Sequence, residues 1–251
     1  MTVTVAGEPF IGFLLASIRI VAWLVVVPPF SSRAVPITAK TLLALGLAMA
    51  IAPEMDGAVP NGAGELVLFA VQEATLGAAL GFVTYLIFAA VQAAGDLIDV
   101  FGGFSLAAAF DPLSMNMNAV YGKLYQMLAM MLLFATDAHL LVIGGLLNTF
   151  DRMPVGAVWE LDSASHVVTV AFGMFFVAAV QIALPLIGVL FIADLGLALL
   201  TKVAPQLNAI GIMFPAKIGL TLLIVGLSFP VLPDAMQRLV ETASEAMGAL
   251  G

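Results

Sequence analysis

The sequence predicts an all-α integral membrane protein, a class indicated by its composition and by the length of its apolar runs. Of the 251 residues, 63% are hydrophobic and only 10% are charged, whereas soluble domains carry about 25% charged residues. Two runs without an acidic or basic residue, 74–95 and 163–193, exceed the roughly 20 residues that a helix needs to cross the hydrocarbon core. We therefore expect helices that are embedded in lipid or in an apolar assembly.

Apolar segments follow one another along the chain, and each predicts a helix. They cover about residues 10–30, 41–53, 66–94, 124–150, 167–200 and 208–232. Proline, glycine and small polar residues concentrate between several of them, at 28–36, 52–65 and 151–156, a composition that is typical of turns. The pattern predicts about six apolar helical segments arranged as helical hairpins.

Prolines punctuate the second half of the chain. Pro185 lies inside the fifth segment, and Pro205, Pro215 and Pro230 lie in or around the sixth. Because proline lacks the backbone N–H that a helix interior uses, these positions predict that several helices are kinked or interrupted.

Charge and cysteine content exclude several classes of function. The net charge is −8 and no basic run is present, so the chain offers little to a phosphate backbone, and we predict no nucleic-acid partner. The chain has no cysteine, and its two histidines, His139 and His166, are far apart in sequence. This excludes disulfides and thiolate nucleophiles and indicates neither a metal site nor a cofactor.

Motifs that would indicate an enzyme are weak. Asp137 lies two residues before His139, which is not the spacing that places two side chains on one face of a helix. Ser105 and Ser228 lack the flanking glycines of a nucleophile elbow. The Gly95-Asp96 pair is shared with intramembrane aspartyl proteases, but such a pair is frequent by chance. We predict that the chain is not an enzyme and has no catalytic residues.

Some charged residues lie inside the apolar segments, where an ionised side chain that faces lipid costs at least about 2.5–3.5 kcal/mol. They are Arg19, Glu73, Asp137, Asp194 and Lys217. One interpretation makes them a proton or ion relay. The other, which we favour, makes them interhelical pairs or contacts with partner subunits.

Gly77 and Gly81 stand four residues apart in "LGAALG", on one face of a helix. Small residues at this spacing let a second helix backbone approach closely. The partner helix could belong to this chain or to another subunit.

The stretch "GDLIDVFGGFSLAAAFDPLSMNMNAVYGK", residues 95–123, predicts a soft loop of mixed polarity. Asp96 and Asp99 could share a helical face, after which glycines loosen the backbone and Pro112 ends any helix. Its aromatic and methionine side chains are suited to filling a conduit reversibly, since thioethers repack at little cost. At membrane depth such a loop must be buried or line a cavity, so it is either an external connector or part of a pore.

Several stretches resemble those of a known family: "LALGLAMAIAPEM" (43–55), "GAALGFVTYLIFAAVQAAGDLI" (77–98), "FDPLS" (110–114), "ATDAHLLVIGGLLNTFDRMPVG" (135–156) and "VAPQLNAIGIMFPAKIGLTL" (203–222). Together they resemble FliR, a subunit of the export gate of the bacterial flagellar type III secretion system. Injectisomes carry a related subunit of the SctT type, but "DAHLLV" and "FDRMPVG" are closer to the flagellar branch. The chain departs from the family in having Asp137-Ala138 where Asn-Gly is frequent.

The resemblance implies an assembly in the bacterial inner membrane, at the flagellar basal body. In this family FliR joins FliP and FliQ subunits around a pore for unfolded flagellar export substrates, with FlhB wrapped around the cytoplasmic side and FlhA nearby. It also implies that residues 1–165 form a FliP-like part with the plug loop at about 99–120, and residues 166–251 a FliQ-like helical hairpin. The plug would include Gly102, Gly103, Phe104, Ser105, Leu106, Phe110, Asp111, Pro112, Met115 and Met117.

A stand-alone, proton-coupled secondary transporter is the alternative. It would use Glu73, Asp194 and Lys217 as a relay near the midplane of the membrane. It would also show internal repeat symmetry, which is not visible in the sequence.

Overall fold

The computed structural model describes residues 8–28, 30–32, 35–51, 60, 62–104, 119–157, 161–204 and 209–248, and all regular structure in these ranges is helical. The helices are α1 (Glu8–Val26), α2 (Ile37–Ile51), α3 (Ala63–Gly102), α4 (Val120–Ala135), α5 (Ala138–Arg152), α6 (Leu161–Val203), α7 (Ala209–Ser228) and α8 (Leu232–Gly248), with a 3-10 turn at Phe229–Val231. The predicted all-α class is confirmed.

Length and composition identify the helices that can cross a membrane. Four stretches of the described helices qualify: Pro9–Val26, Ala63–Gly102, Thr169–Val203 and Pro215–Met247. A fifth is obtained if α4 and α5 count as one bent span. The 15 residues of α2 reach only about 22 Å, short of the roughly 30 Å of the hydrocarbon core. The expected six segments therefore correspond to four or five spans.

The fourth apolar segment, expected as one helix over 124–150, is two helices. Helix α4 ends where the backbone N–H of Thr136 donates to the Leu132 carbonyl at 2.9 Å. The next residue, Asp137, has φ 56° and precedes α5. Aspartate is among the few residues other than glycine that enter this left-handed region at modest cost, so it can break an apolar run without proline or glycine.

Two of the prolines lie inside continuous helices. Helix α6 continues through Pro185, and Pro215 lies inside α7. Pro230 does coincide with an interruption, since it lies in the 3-10 turn between α7 and α8. Pro205 is outside the described residues. Apolar helices tolerate internal proline when neighbouring groups satisfy the freed carbonyl.

Helix α8 is an element that the sequence analysis did not anticipate, because the last apolar segment was ended at residue 232. Its buried side chains recur every three or four residues, at Leu232, Met236, Val240, Ala243 and Met247. Charged and amide side chains occupy the exposed face: Asp234, Gln237, Arg238, Glu241 and Glu245. Because these polar residues interrupt the apolar ones along the chain, a search for continuous apolar runs misses this amphipathic helix.

The chain divides into two compact units. One contains Met1–Ile87, Asp137–Gly173 and Val240–Gly251, and the other contains Phe88–Thr136 and Met174–Leu239. Each unit therefore takes residues from both sides of the boundary at 165/166 that the family resemblance implies. The FliP-like part, 1–165, and the FliQ-like hairpin, 166–251, remain a prediction, and their boundary is not that of the compact units.

In the first unit, α1 and α3 are in backbone contact at the two glycines that the sequence analysis singled out. A Cβ on Gly77 would overlap the carbonyl of Arg19, and one on Gly81 would lie 2.9 Å from Val26 Cβ and 3.1 Å from the Trp23 carbonyl oxygen. Between the two partners left open, the structure favours a helix of the same chain.

Gly77→Ala is expected to lower the free energy of unfolding by roughly 1–3 kcal/mol, because the added methyl group meets a backbone atom and forces the helices apart. Gly12→Ala is the matched control, since nothing lies within 4 Å of the Cβ position there, and helix propensity favours alanine by up to about 1 kcal/mol. Denaturant titration of both variants in detergent micelles measures the difference. Equal stability of the two variants would contradict the close packing.

Long apolar helices leave much of their surface uncovered. In an 18-residue apolar window of each stretch, the buried share is 28% for Thr169–Val203 and 17% for Pro215–Met247, compared with 61% for Ala63–Gly102. Phe176 and Ile192 on α6 are 62% and 68% exposed. Since so many large apolar side chains cannot face water, α6 and α7 require lipid or protein around them.

Candidate functional site

The candidate site lies where α3 ends and α4 begins, on both sides of residues 105–118. Gly102, Gly103 and Phe104 are described, and Gly103 has φ 86°, which only glycine adopts without strain. The other predicted plug residues lie outside the described residues: Ser105, Leu106, Phe110, Asp111, Pro112, Met115 and Met117. The soft loop expected from Gly95 onward is corrected at its start, because α3 stays helical to Gly102.

Asp99 on α3 caps the N-terminus of α4. The backbone N–H groups of Tyr121 and Gly122 donate to Asp99 Oδ2 at 2.9 and 3.1 Å. These amides belong to the first turn of α4, where N–H groups have no partner inside their own helix. The residue before α4, Ala119, provides no side-chain cap. The Asp99 side chain is only 3% exposed. Its carboxylate thus takes the place of a local N-cap, and its negative charge interacts favourably with the positive end of the helix dipole.

Two glycines allow this approach. A Cβ on Gly95 would lie 2.7 Å from both the Tyr121 carbonyl carbon and Gly122 Cα, and one on Gly122 would overlap the carboxylate of Asp96. The rings of Phe104 and Tyr121 complete the contact edge to face, with centroids 5.0 Å apart. We call Gly95, Asp99, Phe104, Tyr121 and Gly122 the α3–α4 clamp.

Helix α7 lies behind the clamp within the same compact unit. A Cβ on Gly102 would lie 2.9 Å from Thr221 Cγ2, and the hydroxyls of Tyr125 and Ser228 are hydrogen-bonded at 3.1 Å. The ends of the segment 105–118 are therefore held by α3, α4 and α7 together.

Two buried atoms of the clamp, Asp99 Oδ1 and the Tyr121 hydroxyl, have no hydrogen-bond partner in the part of the chain that the structure describes. Buried polar atoms are normally paired.

The buried charge of the first unit is an ion pair. Arg19 Nε donates to Glu73 Oε2 at 2.6 Å and Arg19 Nη2 to Oε1 at 3.1 Å, and the guanidinium lies 4.1 Å above the centre of the Phe150 ring. Further hydrogen bonds join Arg19 to the Met153 carbonyl and the Gly156 N–H to Glu73. Since both side chains are buried, they leave no surface to a partner subunit. For these two residues the structure favours the interhelical pair.

The other charged residues lie nearer the surface. Lys217 Nζ on α7 donates to Asp194 Oδ2 on α6 at 2.8 Å, and their side chains are 16% and 33% exposed. Asp137, expected to be buried, is exposed. Subunit contacts of Asp137, Asp194 and Lys217 remain a prediction.

Known proteins are similar to this chain over most of its length. The model of the family described as "Bacterial export proteins, family 1" matches residues 10–243. The flagellar biosynthetic protein FliR of Escherichia coli K12 is 35% identical over 76% of this chain and 74% of its own length. FliR of Bacillus subtilis 168 is 31% identical over 79% and 78%.

A translocation protein is also similar to the chain. The Yop proteins translocation protein T of Yersinia pestis is 27% identical over 80% of this chain and 79% of its own length. The resemblance noted in the sequence is confirmed over nearly the whole chain. The protein belongs to the family described as "Bacterial export proteins, family 1".

Proposed function

We propose that this chain is a subunit of the flagellar type III protein export gate and forms part of the channel through which unfolded flagellar proteins pass. The observation that carries the proposal is the family match over residues 10–243. Relatives named FliR in Escherichia coli and Bacillus subtilis are more similar to the chain than translocation protein T, which supports the flagellar branch.

The proposed location is the inner membrane, within the flagellar basal body. FliP and FliQ subunits would surround the chain, with FlhB and FlhA at its cytoplasmic side. Support comes from α6 and α7, whose large apolar side chains are mostly uncovered by this chain. A helix that pairs charges at its surface, as α6 does through Asp194, is better suited to a protein neighbour than to lipid.

The plug is proposed to be the segment that starts at Gly102 and includes Met117. What supports it is the α3–α4 clamp, which fixes the entry and the exit of this segment to one place. Small, aromatic and methionine side chains between these points can pack against one another and separate again at little cost.

No catalysis is proposed for this chain. The relay on which a transporter would depend is not the arrangement that we observe, because Glu73 is bound by Arg19 and Asp194 by Lys217. The Arg19–Glu73 pair is buried, and removing one partner of such a pair is strongly destabilising. Energy for export would therefore have to be coupled elsewhere in the apparatus.

Deleting residues 104–111 is expected to make assembled complexes leak ions, because the closed pore would lose its obstruction. Single-channel or vesicle-flux measurements on purified complexes give the conductance at rest. A same-length replacement of 104–111 by glycine and serine is the companion variant, and it should leak as well if side-chain bulk closes the pore. Unchanged resting conductance in intact complexes that carry the deletion would refute the plug assignment.

A further inference from the structure

We propose that the buried Arg19–Glu73 pair positions the chain that leaves α5, and that this stretch detaches when the pair is removed. We call Met153–Ala157 the connector segment. All of its residues are described, and they belong to the same compact unit as both partners of the ion pair. The proposal does not depend on the function proposed above.

The connector segment contains a tight turn whose type is set by one glycine. The Ala157 N–H donates to the Pro154 carbonyl at 3.1 Å, and Gly156, the third residue of the turn, has φ 80°. Val155 is not among the residues with positive φ. This combination is a type II turn, whose third residue needs a positive φ and is therefore usually glycine.

The ion pair binds the connector segment at two backbone groups. Arg19 Nη2 donates to the Met153 carbonyl at 3.0 Å as well as to Glu73 Oε1 at 3.1 Å. The same oxygen, Glu73 Oε1, accepts from the Gly156 N–H at 3.2 Å. The charged pair thus bridges the Met153 carbonyl and the Gly156 N–H, which make no hydrogen bond to each other. Hydrogen bonds to ionised groups are about twice as strong as neutral ones.

Only the type II turn presents its N–H to the ion pair. In a type I turn the peptide between Val155 and Gly156 would be rotated by about 150° or more, and its N–H would point away from Glu73. A side chain at position 156 is excluded by packing as well as by φ, because a Cβ there would lie 2.7 Å from Phe69 Cε2. The backbone of the segment therefore matches the charged pair in one conformation.

The segment has little else to hold it in place. Pro154 and Ala157 are exposed and Met153 is half-buried, while Val155, at 2% exposure, is the one fully buried side chain of the segment. The apolar contact of a single valine is small compared with the conformational entropy that the segment would gain on release. Arg19 and Glu73 are therefore positioning residues for this segment.

Thiol labelling tests the proposal, because the chain has no cysteine of its own. Val155→Cys is the reporter, since this side chain is buried while the segment is seated. Ala157→Cys, at an exposed position of the same segment, gives the rate of an accessible thiol. Ala48→Cys, fully buried on α2, reports general loosening. Rates of modification by N-ethylmaleimide are measured on the purified full chain in detergent micelles.

The first background is Arg19→Met combined with Glu73→Leu, an uncharged replacement of similar volume that should keep most of the stability. In it the labelling of Val155→Cys should accelerate by at least about tenfold, the factor that corresponds to losing one hydrogen bond to a charged group. Ala157→Cys and Ala48→Cys should keep their rates. The matched control background, Lys123→Met, should leave all three rates unchanged.

The second background, Gly156→Ala, releases the segment with both charged residues in place. The strain of a positive φ in a residue other than glycine and the overlap with Phe69 should accelerate the labelling of Val155→Cys by about tenfold or more. Gly144→Ala is the matched control, since nothing lies within 4 Å of the Cβ position there, and it should have no effect on labelling. This background keeps the test decisive if the double replacement does not fold.

Three results would overturn the positioning role. The first is a wild-type labelling rate of Val155→Cys in the folded double replacement. The second is equal acceleration of Val155→Cys and Ala48→Cys, because the pair would then stabilise the chain as a whole without positioning the segment. The third is an unchanged rate of Val155→Cys in Gly156→Ala, which would show that the type II turn is not needed to seat the segment.

Discussion

Replacing Arg19 by methionine is expected to destabilise the protein by about 3–5 kcal/mol, because Glu73 would stay buried with its charge uncompensated. Glu73 would keep only the Gly156 amide among the partners that we observe. The loss would also remove the hydrogen bond to the Met153 carbonyl and the contact with the Phe150 ring. The free energy of unfolding in detergent micelles measures the effect.

Two controls give this result its meaning. Replacing both partners, Arg19→Met with Glu73→Leu, should recover most of the stability, since apolar residues of similar volume often substitute for a buried ion pair without loss. Lys123→Met, at an exposed cation that donates to Gln126, should change stability by less than about 0.5 kcal/mol. A single Arg19→Met variant within about 1 kcal/mol of wild type would show that the pair does not hold the first unit together.

Lys217→Glu is expected to abolish assembly of the export complex. It would place two carboxylates opposite each other where Lys217 Nζ now lies 2.8 Å from Asp194 Oδ2, so α6 and α7 would repel each other in surroundings that solvate charge poorly. The yield of complex after affinity purification measures the effect, and export rate is compared only in complexes that do form.

A charge swap tests the cause. Asp194→Lys combined with Lys217→Glu restores the opposite charges and should recover complex. Lys202→Glu changes an exposed cation on the last turn of α6 and should leave the yield intact. Normal amounts of complex from Lys217→Glu alone would contradict the importance of this pair.

The membrane class and the positions of most helices could be predicted from the sequence because they depend on apolar length. A run of about 20 residues without a charge has few alternatives to a helix in lipid. The same holds for Gly77 and Gly81, whose spacing on one helix face indicates close packing whatever the partner is.

The boundaries that depend on other parts of the chain could not be predicted in this way. Helix α3 extends past Asp96 and Asp99, which looked like the polar end of an apolar helix, because the Asp99 charge is satisfied by a different helix. The end of α4 depends on the left-handed backbone of Asp137, a conformation that an apolar pattern does not reveal.

Pairing was likewise beyond the sequence. Arg19 and Glu73 are 54 positions apart. Nothing in their local sequence indicates that Arg19 pairs with Glu73 and not with Asp194, or that Glu73 pairs with Arg19 and not with Lys217. Helix α8 is different, since Leu232, Met236 and Val240 stand four residues apart and would have indicated an amphipathic helix to a periodicity search.

The mass of the complex that co-purifies with this chain tests its place in a protein export gate most directly. Native mass spectrometry after extraction in mild detergent, from cells that express the whole export apparatus, should find the 26.1 kDa chain in a much larger assembly with FliP-like and FliQ-like subunits. A lone chain that is stable and transports a solute when reconstituted by itself would contradict the account.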